Sequence, residues 1–187
     1  LERGGHSVKK KVPLTLAYRL INHGPVVLVS TFYRGRPNVC PISWVTPVDS
    51  DLVAIVISEE NYTFTCIKGT GEFVVNVPPR SLLKEVIKCG AVSGAEVRKF
   101  DRFNLTPGKS EKLEAPIVEE CIGHLECRLL KGEERMARKY NIFLAEVVAA
   151  SAERSLFTTR WDVRKSRART LHHLGGNKFA TPARTLL

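Results

Sequence analysis

The apolar runs of this chain are all of strand length, and they follow one another like the arms of hairpins. Residues 25–33 (PVVLVSTFY), 52–58 (LVAIVIS), 72–78 (EFVVNVP), 122–130 (IGHLECRLL) and 142–151 (IFLAEVVAAS) carry the β-branched enrichment of strands. Turn signals such as RGRPN (34–38) separate them. Segments that permit helices are few and short: LTLAYRLI (14–21), ENYTFTCIKGTG (60–71), SLLKEVIKCG (81–90) and SGAEVRKFDRF (93–103). Asn61 is placed to cap the second of these, Gly69 or Gly71 to end it, and Ser93 with Glu96 has capping-box spacing. In IGHLECRLL, Gly123, Leu125, Cys127 and Leu129 fall on one face and His124, Glu126 and Arg128 on the other. The absence of strand–helix–strand alternation disfavours a doubly wound sheet. The pattern predicts a mainly β fold, a small antiparallel barrel with a few short helices.

Length and composition agree with one domain: 187 residues, of which 43% are apolar, supply a full core. The expected domain runs over 12–187, with 151–187 as a basic C-terminal extension. The first residues, LERGGHS, show no secretory apolar core and are read as a trimmed start. No apolar run approaches the roughly 20 residues that span a bilayer, so no membrane partner is expected. Five cysteines (Cys40, Cys66, Cys89, Cys121, Cys127), an odd number without a C-x-x-C, argue against a disulfide framework and a zinc site. Buried free thiols in a reducing cytoplasm are the expectation.

A net charge of +10 favours anionic partners: nucleic acid, an acidic protein or a phosphate-bearing cofactor. Lys9, Lys10 and Lys11 form one basic cluster, and Arg154, Arg160, Arg164, Lys165, Arg167 and Arg169 another. Only Phe157 and Trp161 interleave the second, too little stacking surface for a sequence-tolerant reader of single strands. There is no G-x-G-x-x-G, P-loop or G-x-S-x-G elbow. The carboxylate pairs 59–60, 119–120 and 133–134 read as solvated ends rather than as an acid/base couple. No catalytic side chain and no metal ligand set is assigned.

Three stretches suit a ligand. In RPNVCPISWVTP (36–47), Pro41 is expected to interrupt regular pairing and leave backbone groups for a flat heteroaromatic with amide-like edges. The other reading of that stretch is an edge strand with a buried tryptophan. In SEENYTFT (58–65), a helix N-terminus with Thr63 and Thr65 suits a phosphate, or is simply capped. In CGAVSGAEVRKF (89–100), small residues permit close backbone approach ahead of Arg98 and Lys99, or form an ordinary surface helix.

Taken together, GRPNVCPISW, LVAIVIS, YTFT, EFVVNVP, SGAEVRKFDRFNLTP, EAPIV and HLECRLL, in this order, resemble the flavin reductase-like FMN-binding family, the flavoredoxins in particular. The resemblance runs over roughly residues 24 to 150. It implies a split β-barrel of Greek-key type, usually a homodimer with FMN near the subunit interface. By that resemblance Asn38 and the stretch Cys40, Pro41, Ile42, Ser43, Trp44 and Val45 hold the isoalloxazine and ribityl groups. Ser58, Thr63 and Thr65 lie on the phosphate side, with Ser93, Gly94 and Lys99 as a further loop contact. Where the family often has a basic residue before T-x-T, this chain has Glu59, Glu60 and Asn61; Tyr140 stands where flavoredoxins can show a histidine. The tail RTLHHLGGNKFA resembles a segment that closes over the flavin, with His172, His173 and Phe179 as its candidates.

The implied activity is an NAD(P)H-dependent flavin reductase, hydride passing from NADH or NADPH to the flavin, a reaction that needs no protein acid/base pair. The alternative is a flavoredoxin-type electron carrier that docks a redox partner protein through its basic surface. A nucleic-acid-binding protein is the third and least supported reading.

Overall fold

The computed structural model describes residues 11–183. A 3-10 turn at Leu14–Leu20 leads into β1 (Val27–Tyr33) and β2 (Arg36–Ile42), then β3 (Val45–Pro47) and β4 (Leu52–Val56). α1 (Tyr62–Thr70) and β5 (Glu72–Val77) follow, then α2 (Leu83–Gly90) and α3 (Lys99–Arg102). Two short strands, β6 (Pro107–Gly108) and β7 (Ile117–Val118), precede β8 (Gly123–Leu129), α4 (Glu134–Tyr140) and β9 (Ile142–Ala152). The chain closes with the hairpin β10 (His172–Gly175) and β11 (Lys178–Ala180).

Seven strands make one antiparallel sheet in the order β2-β1-β5-β8-β9-β4-β3. Its end strands, β2 and β3, are neighbours in sequence, joined only by Ser43 and Trp44. Consecutive Cα atoms are about 3.8 Å apart, so this link brings the two edges close and the sheet must curl into a half-barrel. A register shift between Glu126 and Cys127, opposite β9, adds the local bend that curling needs. At the β1–β2 hairpin, Arg34 and Gly35 take φ of 51° and 73°, the mirror-image turn that matches strand twist.

The sheet is covered on both faces at β1 and β5, where Val27 to Thr31 and Phe73 to Asn76 are buried without a break, whereas β4 in the continuous apolar run 52–58 is buried on alternate residues. Val27, Val29, Ile55, Ile67, Phe73 and Phe143 fill the barrel interior. On the outer face, Leu28, Val39, Val86, Phe100 and Leu171 pack beneath α2, α3 and the returning tail. Asn76 links the layers: its amide donates to Leu28 O (2.9 Å) and Ser30 Oγ (2.8 Å), and its carbonyl accepts from Val118 N (2.8 Å) and meets His124 Nδ1 at 2.9 Å.

Three local expectations change. Pro41 does not interrupt the hairpin, because β2 pairs with β1 through Leu28↔Pro41 to Val27↔Ile42. β2 is an edge strand, so a missing N–H on its outer side costs no ladder bond. Asn38 sits inside β2, paired with Thr31, since the turn is complete at Gly35. In 93–103 only Lys99–Arg102 is helical; Ser93 Oγ accepts from Ala95 N (3.2 Å) and starts a turn instead of a capping box.

Candidate functional site

The edge strand β2 presents its free side to α2, α3 and the loop between them, and two adjoining cavities open there. The first, of about 190 Å³, is lined by Cys40, Glu60, Thr63, Cys89, Ser93, Gly94 and Lys99, among others. The second, of about 370 Å³, is lined by Pro41, Ser43, Val86, His173, Asn177 and Phe179. Gly90 and Ala91, at the end of α2, line both and make them one groove.

Lys99 is the main electrostatic feature. It opens α3 yet is only 3% exposed. Its Nζ donates to Cys89 O at 2.7 Å, in the last turn of α2, where the carbonyl end of a helix favours a cation. An ammonium has three donors. Among the described residues no carboxylate pairs with Lys99, and this is its one hydrogen bond. A buried cation with donors to spare, on the wall of a cavity, calls for an acceptor or an anion.

Asn38 is equally buried. Its Nδ2 donates to Thr63 Oγ1 (2.9 Å), which ties β2 to the first turn of α1. Its Oδ1 is buried without a partner, as is Nδ1 of His173 in the second cavity. His173 Nε2 lies 2.8 Å from Gly176 O, an acceptor, so Nε2 carries a proton. Gly94 must be glycine for packing: a Cβ there would fall 2.7 Å from Asn38 Cγ and 3.0 Å from Tyr62 Cδ1. Burial pushes the Cys40 thiol up and that of Cys89 to about 11, the Lys99 charge acting the other way on both. Both thiols are therefore neutral wall groups, not nucleophiles.

The groove thus brings together Cys40, Pro41, Ser43, Thr63, Ser93, Gly94, Lys99 and Phe179, with Asn38 directly behind Gly94. Ile42 turns into the barrel core, and Val45 packs against that core from β3. Trp44 is not buried: it is 46% exposed and meets Tyr18 edge-on at 5.7 Å. Thr65 is exposed on α1, Ser58 lies at the N-terminal approach to that helix, and Tyr140 is exposed at the end of α4 under Lys139. The two adjacent carboxylates part company. Glu60 lines the first cavity, whereas Glu59 lines a separate one of about 290 Å³ beside α4. Gly90, Ala91 and Asn177 fall inside the stretches 89–100 and 169–180 that the sequence marked, but they were not named there as contacts. A glycine closing a helix reads as an ordinary stop, and nothing local says that it faces a strand edge.

The comparisons with known proteins agree with this architecture. Residues 19–171 match the flavin reductase like domain. The uncharacterized protein YddH of Escherichia coli (strain K12) is 33% identical over 178 residues, covering 91% of this chain and 94% of its own. The crystal structure of an FMN-binding domain of a flavin reductases-like enzyme from Shewanella baltica OS155 superposes with a TM-score of 0.83 at 29% identity, covering 94% of this chain and 95% of that one. The flavoredoxin of Desulfovibrio vulgaris (Miyazaki F) has the same fold, with a TM-score of 0.83 at 24% identity and 96% of each chain covered. The chain belongs to the flavin reductase-like domain family, with the split-barrel fold of its FMN-binding members.

Proposed function

We propose that the protein binds FMN in the groove beside β2 and works as an NAD(P)H-dependent flavin reductase. The observation that carries this reading is Lys99, a buried ammonium whose remaining donors have no protein partner among the described residues. FMN fits the unmet groups: its phosphate and ring carbonyls accept from an ammonium, and its ring N–H and ribityl hydroxyls donate to an orphaned carbonyl such as Asn38 Oδ1. When bound, FMN supplies a ring that takes up and releases a hydride, so the protein needs no acid/base pair of its own.

The chain's part is binding and exclusion. Lys99 and the Ser93–Gly94 loop hold the first cavity, Pro41 and Ser43 present the edge of β2, and Phe179 on the returning hairpin covers the second cavity from water. Five buried free thiols suit a reducing, cytoplasmic setting. We also assign a homodimer. Leu14 (90% exposed), Leu20 (62%) and Ile21 (84%) leave apolar side chains uncovered in the segment whose Tyr18 meets Trp44. Leu14→Asp with Ile21→Asp is expected to turn a dimer into a monomer in light scattering.

The deciding experiment is the loss of nicotinamide absorbance when NADH or NADPH is mixed with protein and FMN. Turnover well above the protein-free background is expected, and Lys99→Met should weaken FMN binding by about tenfold or more. FMN binding without turnover makes the protein an electron carrier of the flavoredoxin kind. Failure to bind FMN at all overturns the reading.

A further inference from the structure

Phe179 has a second face. Besides the groove, it lines a cavity of about 670 Å³ whose wall includes Arg80, Ser81, Ser166, Arg167, Leu171 and Thr181. Two backbone ties fix this cavity. Pro79 bridges to Thr170, and Arg80 N donates to Arg169 O at 2.8 Å, so the turn before α2 lies against the turn at 166–170. Arg80 and Arg167, both exposed, thereby line one opening together with Ser81, Ser166 and Thr181.

The polar groups there are only partly used. Arg167 Nε donates to Glu153 at 2.9 Å, which neutralises that carboxylate and leaves most of the guanidinium's five N–H donors. The side chain of Arg80 has no hydrogen bond or ion pair among the described residues. Thr181 Oγ1 is buried without a partner. Leu83, Leu171 and Phe179 supply apolar wall next to these groups. Paired guanidiniums with hydroxyls recognise a phosphomonoester by charge-assisted, often bidentate bonds, and the apolar wall suits a purine. Its junction with the groove at Phe179 places such a ligand beside whatever occupies the groove.

We infer that this cavity holds the phosphorylated adenosine end of the reductant, so that the coenzyme used is NADPH rather than NADH. This rests on the flavin reductase reading for its second half and on the cavity alone for its first. Arg80 and Arg167 are exposed, so NADH, which lacks the 2′-phosphate, leaves them hydrated and forgoes the charge-assisted bonds to that group. Losing one charge-assisted bond of this kind is worth about tenfold in affinity.

Calorimetric titration of the purified protein with adenosine 2′,5′-bisphosphate, 5′-AMP and inorganic phosphate tests the cavity without turnover. The bisphosphate is expected to bind at least about tenfold tighter than either of the others. Arg80→Ala and Arg167→Ala should each remove about tenfold of that affinity and leave 5′-AMP unchanged, with Arg80→Lys intermediate. Equal binding of bisphosphate and 5′-AMP, inorganic phosphate binding as tightly as the bisphosphate, or no effect of either substitution overturns the inference. Turnover assays with FMN separate it from the broader reading. Equal kcat/KM for NADPH and NADH removes the cavity's role and keeps the reductase. Tight bisphosphate binding with no oxidation of either coenzyme keeps the site and removes the reductase.

Discussion

Gly94→Ala is the sharpest probe of the groove, because one methyl group meets two of its fixed parts. The new Cβ falls on the Asn38 carboxamide, 2.7 Å from Cγ, and 3.0 Å from Tyr62 Cδ1. Asn38 cannot turn aside freely: it is 3% exposed, and its Nδ2 is committed to Thr63 Oγ1 at 2.9 Å. Rotating it breaks that bond and strands a buried amide, at about 1–3 kcal/mol. Pushing the loop outward instead loosens the Arg36 Nη2 contact to Gly94 O (3.4 Å) and opens the wall that Lys99 completes. Overpacking of this kind also costs about 1–3 kcal/mol, so both routes give roughly 2 kcal/mol. For a chain of this size that lowers Tm by about 4–8 °C. Urea denaturation gives the stability change, and FMN fluorescence titration should show binding weakened by about tenfold or more. A cycle with Asn38→Ala isolates the cause: if the clash is with Asn38, the double variant is less destabilised than the sum of the single ones by about 1 kcal/mol or more. Strict additivity, or a Gly94→Ala protein within about 0.5 kcal/mol of the parent with unchanged FMN affinity, refutes the reasoning.

Glu60→Gln removes a carboxylate from the cavity that Lys99 lines, so FMN should bind about two- to fivefold tighter at low ionic strength, a gain that fades as salt is added. Burial keeps Cys40 and Cys89 protonated, the latter with its pKa near 11; native protein should therefore react slowly with a thiol reagent near neutral pH, more slowly still with FMN bound, and at all five cysteines once denatured. His124 is held below the usual histidine range by burial, against the opposing pull of Glu126. The unfolded chain takes up the proton first as pH falls, so this contribution is complete above the unfolded value and lost on the way down to the folded one. Urea midpoints should drop as the pH falls through the ordinary histidine value of about 6.5, and His124→Gln should flatten that slope; an unchanged slope puts the cause elsewhere.

The strands were legible because burial on both sheet faces writes itself into composition: residues 25–33 and 72–78 are mostly apolar and rich in valine, and the structure puts β1 and β5 there. Helix α1 was legible from its flanks: Asn61 holds the N-cap position, though its side chain makes no capping bond, and Gly71 takes the left-handed conformation that ends it. What local pattern misjudged was Pro41, since whether a proline breaks a strand depends on which side has a neighbour, and that is a property of the whole sheet. The same applies to 93–103, where Lys99 looks like an exposed helical charge. Only the three-dimensional fold puts it under α2, with Cys89 O as its acceptor. Family resemblance singled out Lys99 where periodicity did not, and it marked the tail around Asn177 without naming that residue.

Pro37 and Pro41 explain why fold and site share one strand. They lie four residues apart in β2, so their nitrogens point the same way, and in an edge strand with an intact ladder that way is outward. An edge with two missing donors cannot template another strand, which protects the open side of the half-barrel from pairing with a second sheet. The Ser43–Trp44 link then forbids β2 from moving far from β3. A strand that must stay at the seam, and that no other strand can cover, is left to side chains, helices and ligands. α2 takes part of it, with Gly90 close enough that a Cβ would sit 3.1 Å from Pro41 Cγ. The remainder is the groove, with Lys99 at one end and Phe179 at the other. The prolines that look like a fault in a hairpin therefore keep the edge free of strands and leave it open as the wall of the groove.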